Sequence, residues 1–277
     1  MRFWSPYFPP LNAPTGEKCE WYHDHVFFGL SLCLMQNDRI SNHVRFHNSW
    51  SGCTSHVNAI RTIKNVNLVI DAGANIGICT LHFLRETNAT VIAIEPSPLN
   101  LFFLTSTLHR ATTRMPQWKH RVVVLPAALG DATTEEKIFV AAANSGNSVL
   151  RMQTRDHPTQ RMDRSFRVPV MTLDDAMYGW TSCKDCRDVF LKVDVQGYEC
   201  KLLDGMKQTA LSVQSMVIEL ANGWLKPQNC STEMALEKIH GLGFRWEDTP
   251  RCVYSRFGCD LAVLKAPTGS TKRVVLI

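Results

Sequence analysis

The stretch VIDAGANIGICTL, residues 69–81, sets a carboxylate and two glycines at the end of an apolar run. Asp71, Gly73, Asn75 and Gly77 alternate with Ala72, Ala74 and Ile76, after which Ile76, Cys79 and Phe83 recur at helical spacing. A glycine turn that feeds a helix binds anions, because backbone N–H groups and the positive end of the dipole converge. The dinucleotide fingerprint would need a third glycine where Asn75 stands. Asp71 would moreover repel a pyrophosphate.

A ligand with an ammonium, a sulfonium and one carboxylate, but no phosphate, has a use for both the turn and Asp71. S-adenosylmethionine fits that description and NAD does not. Glu95 follows Gly77 by eighteen residues, at the end of the apolar run TVIAIEP. An acidic residue there can accept from both hydroxyls of a ribose, a contact shared by adenosine cofactors generally. A blander account also covers these two residues, with Asp71 capping a helix and Glu95 ending a solvated strand.

In LKVDVQGYE, Lys192 and Asp194 share one face of a strand, since side chains alternate with period two. Within a strand of Leu and Val they need partners, and each is the other's obvious choice. Together with Glu199 they either organise the turn at Gly197 or take part in chemistry. A reaction that takes a proton from a hydroxyl requires a base within hydrogen-bond reach of it. Asp194 is the first candidate and Glu219, ending SMVIEL, the second, with Lys192 and Glu199 beside them. No metal is expected. His23, Asp24 and His25 lack a third ligand, and the Cys183–Cys186 C-x-x-C lacks the two others that zinc needs.

These residues need a scaffold that alternates strands and helices. Strands are expected at 66–73, 90–96, 121–131, 188–199 and 215–220, with Leu101, Leu104 and Leu108 marking a helix between the second and third. Such alternation means a parallel sheet with right-handed crossovers. Residues 137–150 read as a hairpin-like insertion, and 151–167 as an exposed, charged loop. A helix over 231–240 has Ser231 as N-cap and Gly241 as its stop. FRWED and DLAVLKA are too close for a crossover helix and should pair antiparallel. Residues 1 to about 60 show no regular pattern, although VFFGLSLCLM (26–35) reads as a buried helix.

The 277 residues, 45% hydrophobic and 20% charged, suit one large α/β domain with an appendage. A net charge of +5 without long basic runs does not ask for nucleic acid. No apolar run reaches a membrane-spanning length, and the Pro-rich first residues lack the apolar core of a signal peptide. Ten cysteines leave the compartment open. The chain would be cytoplasmic if complete, while a secretory lumen would suit paired cysteines. Oligomeric state is not legible.

VIDAGANIGICTL, AIEPSPLN, AALGD, MTLDD and LKVDVQGYECKLLDGM, in that order and spacing, resemble the FkbM-type methyltransferase family over residues 68–220. The resemblance implies a Rossmann-like class I methyltransferase fold, a mostly parallel seven-stranded sheet with an antiparallel closing strand. It implies S-adenosylmethionine as cofactor and O-methylation of a hydroxyl on a sugar, glycan or natural product. Asp71, Gly73, Ala74, Asn75, Gly77 and Glu95 then fall on cofactor positions, and Ala128 and Asp131 near the adenine edge. The corresponding division is an N-terminal segment packed on the core (1–60), the methyltransferase domain (61–266) and a tail (267–277). A catalytically silent cofactor- or glycan-binding protein on the same fold is the alternative, and a NAD-dependent oxidoreductase the third reading.

Overall fold

The computed structural model describes residues 3–23, 29–48, 50–61, 65–151, 156–157, 160–181, 188–244, 253–255, 258–260, 264–265 and 273–276. Its N-terminal part is regular, contrary to the irregular segment expected. Strands β1 (Glu20–His23) and β2 (Ser31–Leu34) form an antiparallel hairpin bridged by the Cys19–Cys33 disulfide. Helices α1 (Arg39–His47) and α2 (Ser51–Arg61) follow. The expected helix over 26–35 is thus corrected, because its second half is β2. A short apolar run does not fix its own element type.

Next come β3 (Leu68–Ala72), α3 (Ile78–Glu86), β4 (Thr90–Ile94), α4 (Pro98–Arg114) and β5 (Val122–Leu125). A second group comprises β6 (Ala128–Leu129), β7 (Thr134–Ala141), β8 (Val149–Leu150), β9 (Asp156–His157) and β10 (Gln160–Met171). The chain returns through α5 (Leu173–Thr181), β11 (Val189–Val193), α6 (Glu199–Asp204), β12 (Val213–Ile218), α7 (Asn222–Leu225) and α8 (Thr232–Gly241). Short strands β13 (Val253–Ser255), β14 (Gly258–Asp260), β15 (Leu264–Lys265) and β16 (Arg273–Leu276) follow.

Five parallel strands in the order β12-β11-β3-β4-β5 form the central sheet. Both faces are covered, so β3 and β11 are buried at every position and read as near-continuous apolar runs. Ile70, Leu191 and Met216 belong to the core on one face, and Val69, Phe190 and Val217 to the core on the other. The second core also takes in Leu30, Leu32 and Leu34 from the hairpin, and Trp4 bridges to Val124. At the β12 edge β16 runs parallel to β12, and β15 antiparallel to β16. Residues 245–248 of the expected FRWED strand lie outside the described residues, while the stretch set aside as a tail supplies β16.

The 121–131 strand divides at Pro126. Its first half stays in the central sheet and its second, β6, joins a second sheet in the order β6-β10-β7-β8. The hairpin-like insertion is present as β7 and β8, which pair antiparallel. The exposed loop expected over 151–167 is not observed in its second part. β10 pairs with β7 over most of its length, with a register shift between Met162 and Arg164. Met162, Val168 and Val170 are buried, while Asp163, Ser165 and Arg167 face solvent. This is a half-buried strand whose charges occupy its open face.

Candidate active site

The carboxyl ends of β3, β4, β11 and β12 border a cavity of about 800 Å³. That side of an open parallel sheet is where ligands bind. After β3 the chain turns with Gly73 at φ +81°, Asn75 at +52° and Gly77 at +89°. A Cβ on Gly73 would stand 1.8 Å from the Asp194 carbonyl oxygen, so backbone contact between two strand ends requires glycine. The N–H groups of Gly73 and Ala74 both donate to Ile94 O, and that of Gly77 to Ala74 O. Asn75 N–H donates to Glu95 at 2.8 Å.

Glu95 is almost fully buried yet borders the cavity. Its Oε1 accepts from Ser97 N–H at 2.8 Å and from Asn100 Nδ2 at 3.2 Å, and its Oε2 from Asn75 N–H. Burial pushes its carboxyl up to about 7, although these hydrogen bonds favour the ionised form. A carboxylate can accept at about four sites, so Glu95 keeps capacity for a hydroxyl.

β11 lies beside β3 in register, and this sets Lys192 opposite Asp71. Lys192 Nζ donates to Gly73 O at 2.6 Å and lies 3.2 Å from Asp71 Oδ1 and 3.6 Å from Asp194 Oδ2. Burial alone would lower the ammonium's pKa, but the Asp71 and Asp194 carboxylates carry it above the usual lysine value. Asp194 faces the cavity with its side chain about one-third exposed. Burial works to raise its pKa; Lys192 and the hydrogen bonds from its neighbours outweigh that and hold it low. The Gln196 amide donates to Asp194 at 2.6 Å and to Glu219 at 3.0 Å, tying the two carboxylates together.

A family model described as the Methyltransferase FkbM domain matches residues 71–246, well over half of the chain. The chain belongs to the FkbM methyltransferase family. Among solved structures it is similar to a methyltransferase FkbM from Methylobacillus flagellatus KT (21% identity, TM-score 0.31). That match covers 51% of this chain and 29% of the other, so the chain spans less than a third of that protein. It is also similar to geranyl diphosphate C-methyltransferase from Streptomyces coelicolor A3(2), solved with Mg²⁺, geranyl diphosphate and S-adenosyl-L-homocysteine. There the identity is 10%, the coverage 70% and 61%, and the TM-score 0.37. A geranyl diphosphate methyltransferase solved in complex with GPP and sinefungin gives 10% identity, 85% and 72% coverage and a TM-score of 0.39. No curated protein matches the chain.

In this FkbM domain Gly73, Ala74, Asn75, Glu95, Ala128, Lys192, Asp194 and Glu219 border the cavity. Four of the residues singled out in the sequence do not. Asp71 is fully buried beneath the turn, accepts from Thr80 Oγ1 at 2.6 Å and faces Lys192. Gly77 is the residue preceding α3 and packs on Leu104. Asp131 sits at the surface in an ion pair with Lys201 at 2.9 Å, the hydrogen bond from which holds its pKa low. Glu199 is buried at the start of α6 and accepts from Val195 N–H at 3.2 Å. Burial pushes its carboxyl up to about 8.

The cavity also holds residues that sequence reasoning passed over. Arg39, Trp50 and His56 come from α1, α2 and the link between them, and Trp224 from α7. His56 is buried, and that burial, with Lys192 nearby, drops its pKa to about 3, leaving a neutral imidazole. Its Nδ1 lies 3.6 Å from Cys79 Sγ. Cys53, His56 and Cys79 bring three potential ligand atoms within 4.8 Å of one another, but the two cysteines are joined in a disulfide. That bond removes the thiolates a metal would need. A third disulfide joins Cys200 and Cys230. Among the described residues no helix is long and apolar enough to cross a membrane.

Proposed function

We propose that the protein transfers a methyl group from S-adenosylmethionine to a hydroxyl of a sugar, glycan or natural product. The observation that carries this reading is the pair of cavity-facing carboxylates, Glu95 and Asp194, flanking the glycine turn of an FkbM domain. S-adenosylmethionine, when bound, supplies a methyl group already activated on a sulfonium. The donor set fits it: Glu95 retains acceptor capacity for a ribose hydroxyl, and the apolar stretch Ala127–Leu129 suits an adenine edge. Residues 61–266 would form the catalytic unit, its sheet brought to seven strands by β16 of the tail and the antiparallel β15, with residues 1–60 as its cover.

Asp71 acts indirectly in this reading, since it holds Lys192, which holds the Gly73 carbonyl and Asp194. Asp194 is ionised and suits an ammonium. A low pKa makes it a weak general base, because a base works best with its pKa near the operating pH. Glu219, tied to Asp194 through Gln196 and facing the same space, is the other group in reach of the acceptor's proton. Positioning carries much of the remaining rate, with Trp50 and Trp224 as walls for the acceptor. The three disulfides among the described residues suit an oxidising compartment.

The deciding experiment incubates the protein with tritiated methyl donor and a panel of glycans and hydroxylated metabolites. Label should enter a hydroxyl acceptor as an ether. Calorimetry should detect adenosylhomocysteine, with Glu95→Gln weakening it about tenfold or more, the worth of a charge-assisted hydrogen bond. Tight NAD binding with none of adenosylhomocysteine would overturn the reading. Cofactor binding without transfer to any acceptor would favour the silent binding protein.

A further inference from the structure

A second cleft, of about 830 Å³, opens along the last turns of α4 and shares no lining residue with the cavity. Trp21 and His23 of β1 form one wall, and His109, Arg110 and Arg114 of α4 the other. Trp21 is 45% exposed, and the Arg110 guanidinium lies 4.3 Å from its ring centroid. The aromatic surface continues beyond the cleft. The Phe8 carbonyl lies 3.1 Å from His109 Nδ1, the Tyr7 hydroxyl 2.7 Å from His120 Nδ1, and the Lys119 ammonium 5.0 Å from the Tyr7 ring centroid. Tyr7 is 56% and Phe8 48% exposed.

The charge here has one sign. The lining contains no acidic residue among those described, and neither Arg110 nor Arg114 meets a carboxylate among the described residues. A cation in the last turn complements the helix dipole, which accounts for Arg114. It does not account for an indole left in water beneath a second guanidinium. Arg110 and Arg114 are four residues apart on one helix, so they lie side by side and present two planar forks.

We propose that this cleft is a docking subsite for an acidic saccharide, a sugar chain bearing carboxylate or sulfate groups. The guanidinium forks match the planar or tetrahedral oxygens of such anions. The exposed indole and phenyl faces receive the apolar C–H faces of sugar rings. Ser31, Ser106 and Thr113 on the lining supply hydroxyls, each able to donate and accept toward ring substituents. The cleft has no group in common with the methyl-transfer cavity, so the two readings stand or fall separately.

The test is calorimetry on the full chain, at low and at physiological salt, with a heparin octasaccharide, uncharged maltooctaose and a single-stranded DNA octamer as probes. The heparin octasaccharide should bind, maltooctaose should not, and the DNA should bind more weakly. Trp21→Ala and the surface variant Arg110→Gln/Arg114→Gln should each weaken the saccharide tenfold or more and leave adenosylhomocysteine binding unchanged. The double variant removes only partly solvated charge, so it keeps the test decisive if Trp21→Ala misfolds. The proposal is overturned if the octasaccharide does not bind, if DNA binds as well, or if the arginine variant binds within twofold of the parent.

Discussion

Lys192 is the residue on which the floor of the cavity depends. It is buried between two carboxylates and holds the Gly73 carbonyl, so it joins the glycine turn to the end of β11. Replacing it by methionine leaves Asp71, which has no exposure to water, without its cation. Breaking a buried pair from one side costs about 3–5 kcal/mol. Chemical denaturation of Lys192→Met should show a loss of that size, with Asp71→Asn/Lys192→Met recovering part of it. A loss within 1 kcal/mol would mean that the pair does not organise the turn. This partnership was legible in outline, because a lysine and an aspartate amid Leu and Val need company. Asp71, however, reads as a ligand contact, since an apolar run shows that β3 is buried but not which side chain lies beside each of its residues. The missing clue was register: two parallel strands ending together set Asp71 beside Lys192.

Among the elements, α1 and the turn between β7 and β8 act as one piece. Asp38 caps α1 by accepting from Ser41 N–H at 2.9 Å, and its other oxygen accepts from Ser145 N–H at 2.8 Å. Ser145 Oγ in turn meets Asn75 Oδ1 at 3.4 Å, and Arg39 N–H donates to Ala143 O at 3.0 Å. Asp38→Ala should remove about 1 kcal/mol as a lost cap. It should also speed exchange of the Ser145 amide and raise KM for the acceptor more than it lowers kcat. Unchanged exchange at Ser145 would show that the turn is held by other contacts. The strands β3, β4, β11 and β12 could be read from the chain because parallel strands covered on both faces are plain apolar runs. β10 could not, since its bulge breaks the alternation at Arg164 and its outward charges resemble a loop. The N-terminal wall of the site was equally hidden. His56 belongs to a helix of weak pattern and Trp50 to the link before it, and only tertiary packing brings them to the cavity.

For the molecule as a whole, three buried groups and the half-buried His82 shape the dependence of stability on pH. Glu95 and Glu199 titrate at about 7 and 8 when folded, above ordinary carboxyl values, and His56 and His82 at about 3 and 4, below the ordinary imidazole value. Burial is the leading cause in each case. Between about pH 4.5 and 6.5 the folded carboxyls bind protons that the unfolded chain has lost, while the unfolded imidazoles bind protons that the folded ones refuse. The two effects oppose each other there. Above about 6.5 only the carboxyls remain, so stability falls as pH rises toward 8. Below about 4.5 the imidazoles remain, joined by Asp194, whose pKa is held low, so stability falls as pH drops toward 3. Thermal unfolding across pH 4–9 should therefore peak near 5–6.5. A maximum at pH 8 or above would contradict the burial of Glu95 and Glu199.

The contact between Gly73 and the Asp194 carbonyl leaves no room for a side chain, and it acts as a gauge for the site. The separation between the glycine turn and the acidic strand end is set by main chain pressed on main chain, not by rotamers that a neighbour could repack. The walls contributed by α1, α2 and the β7–β8 turn have no such constraint. Lineages of this fold could therefore redraw those walls, while the spacing of turn and strand end passes unchanged from one to the next.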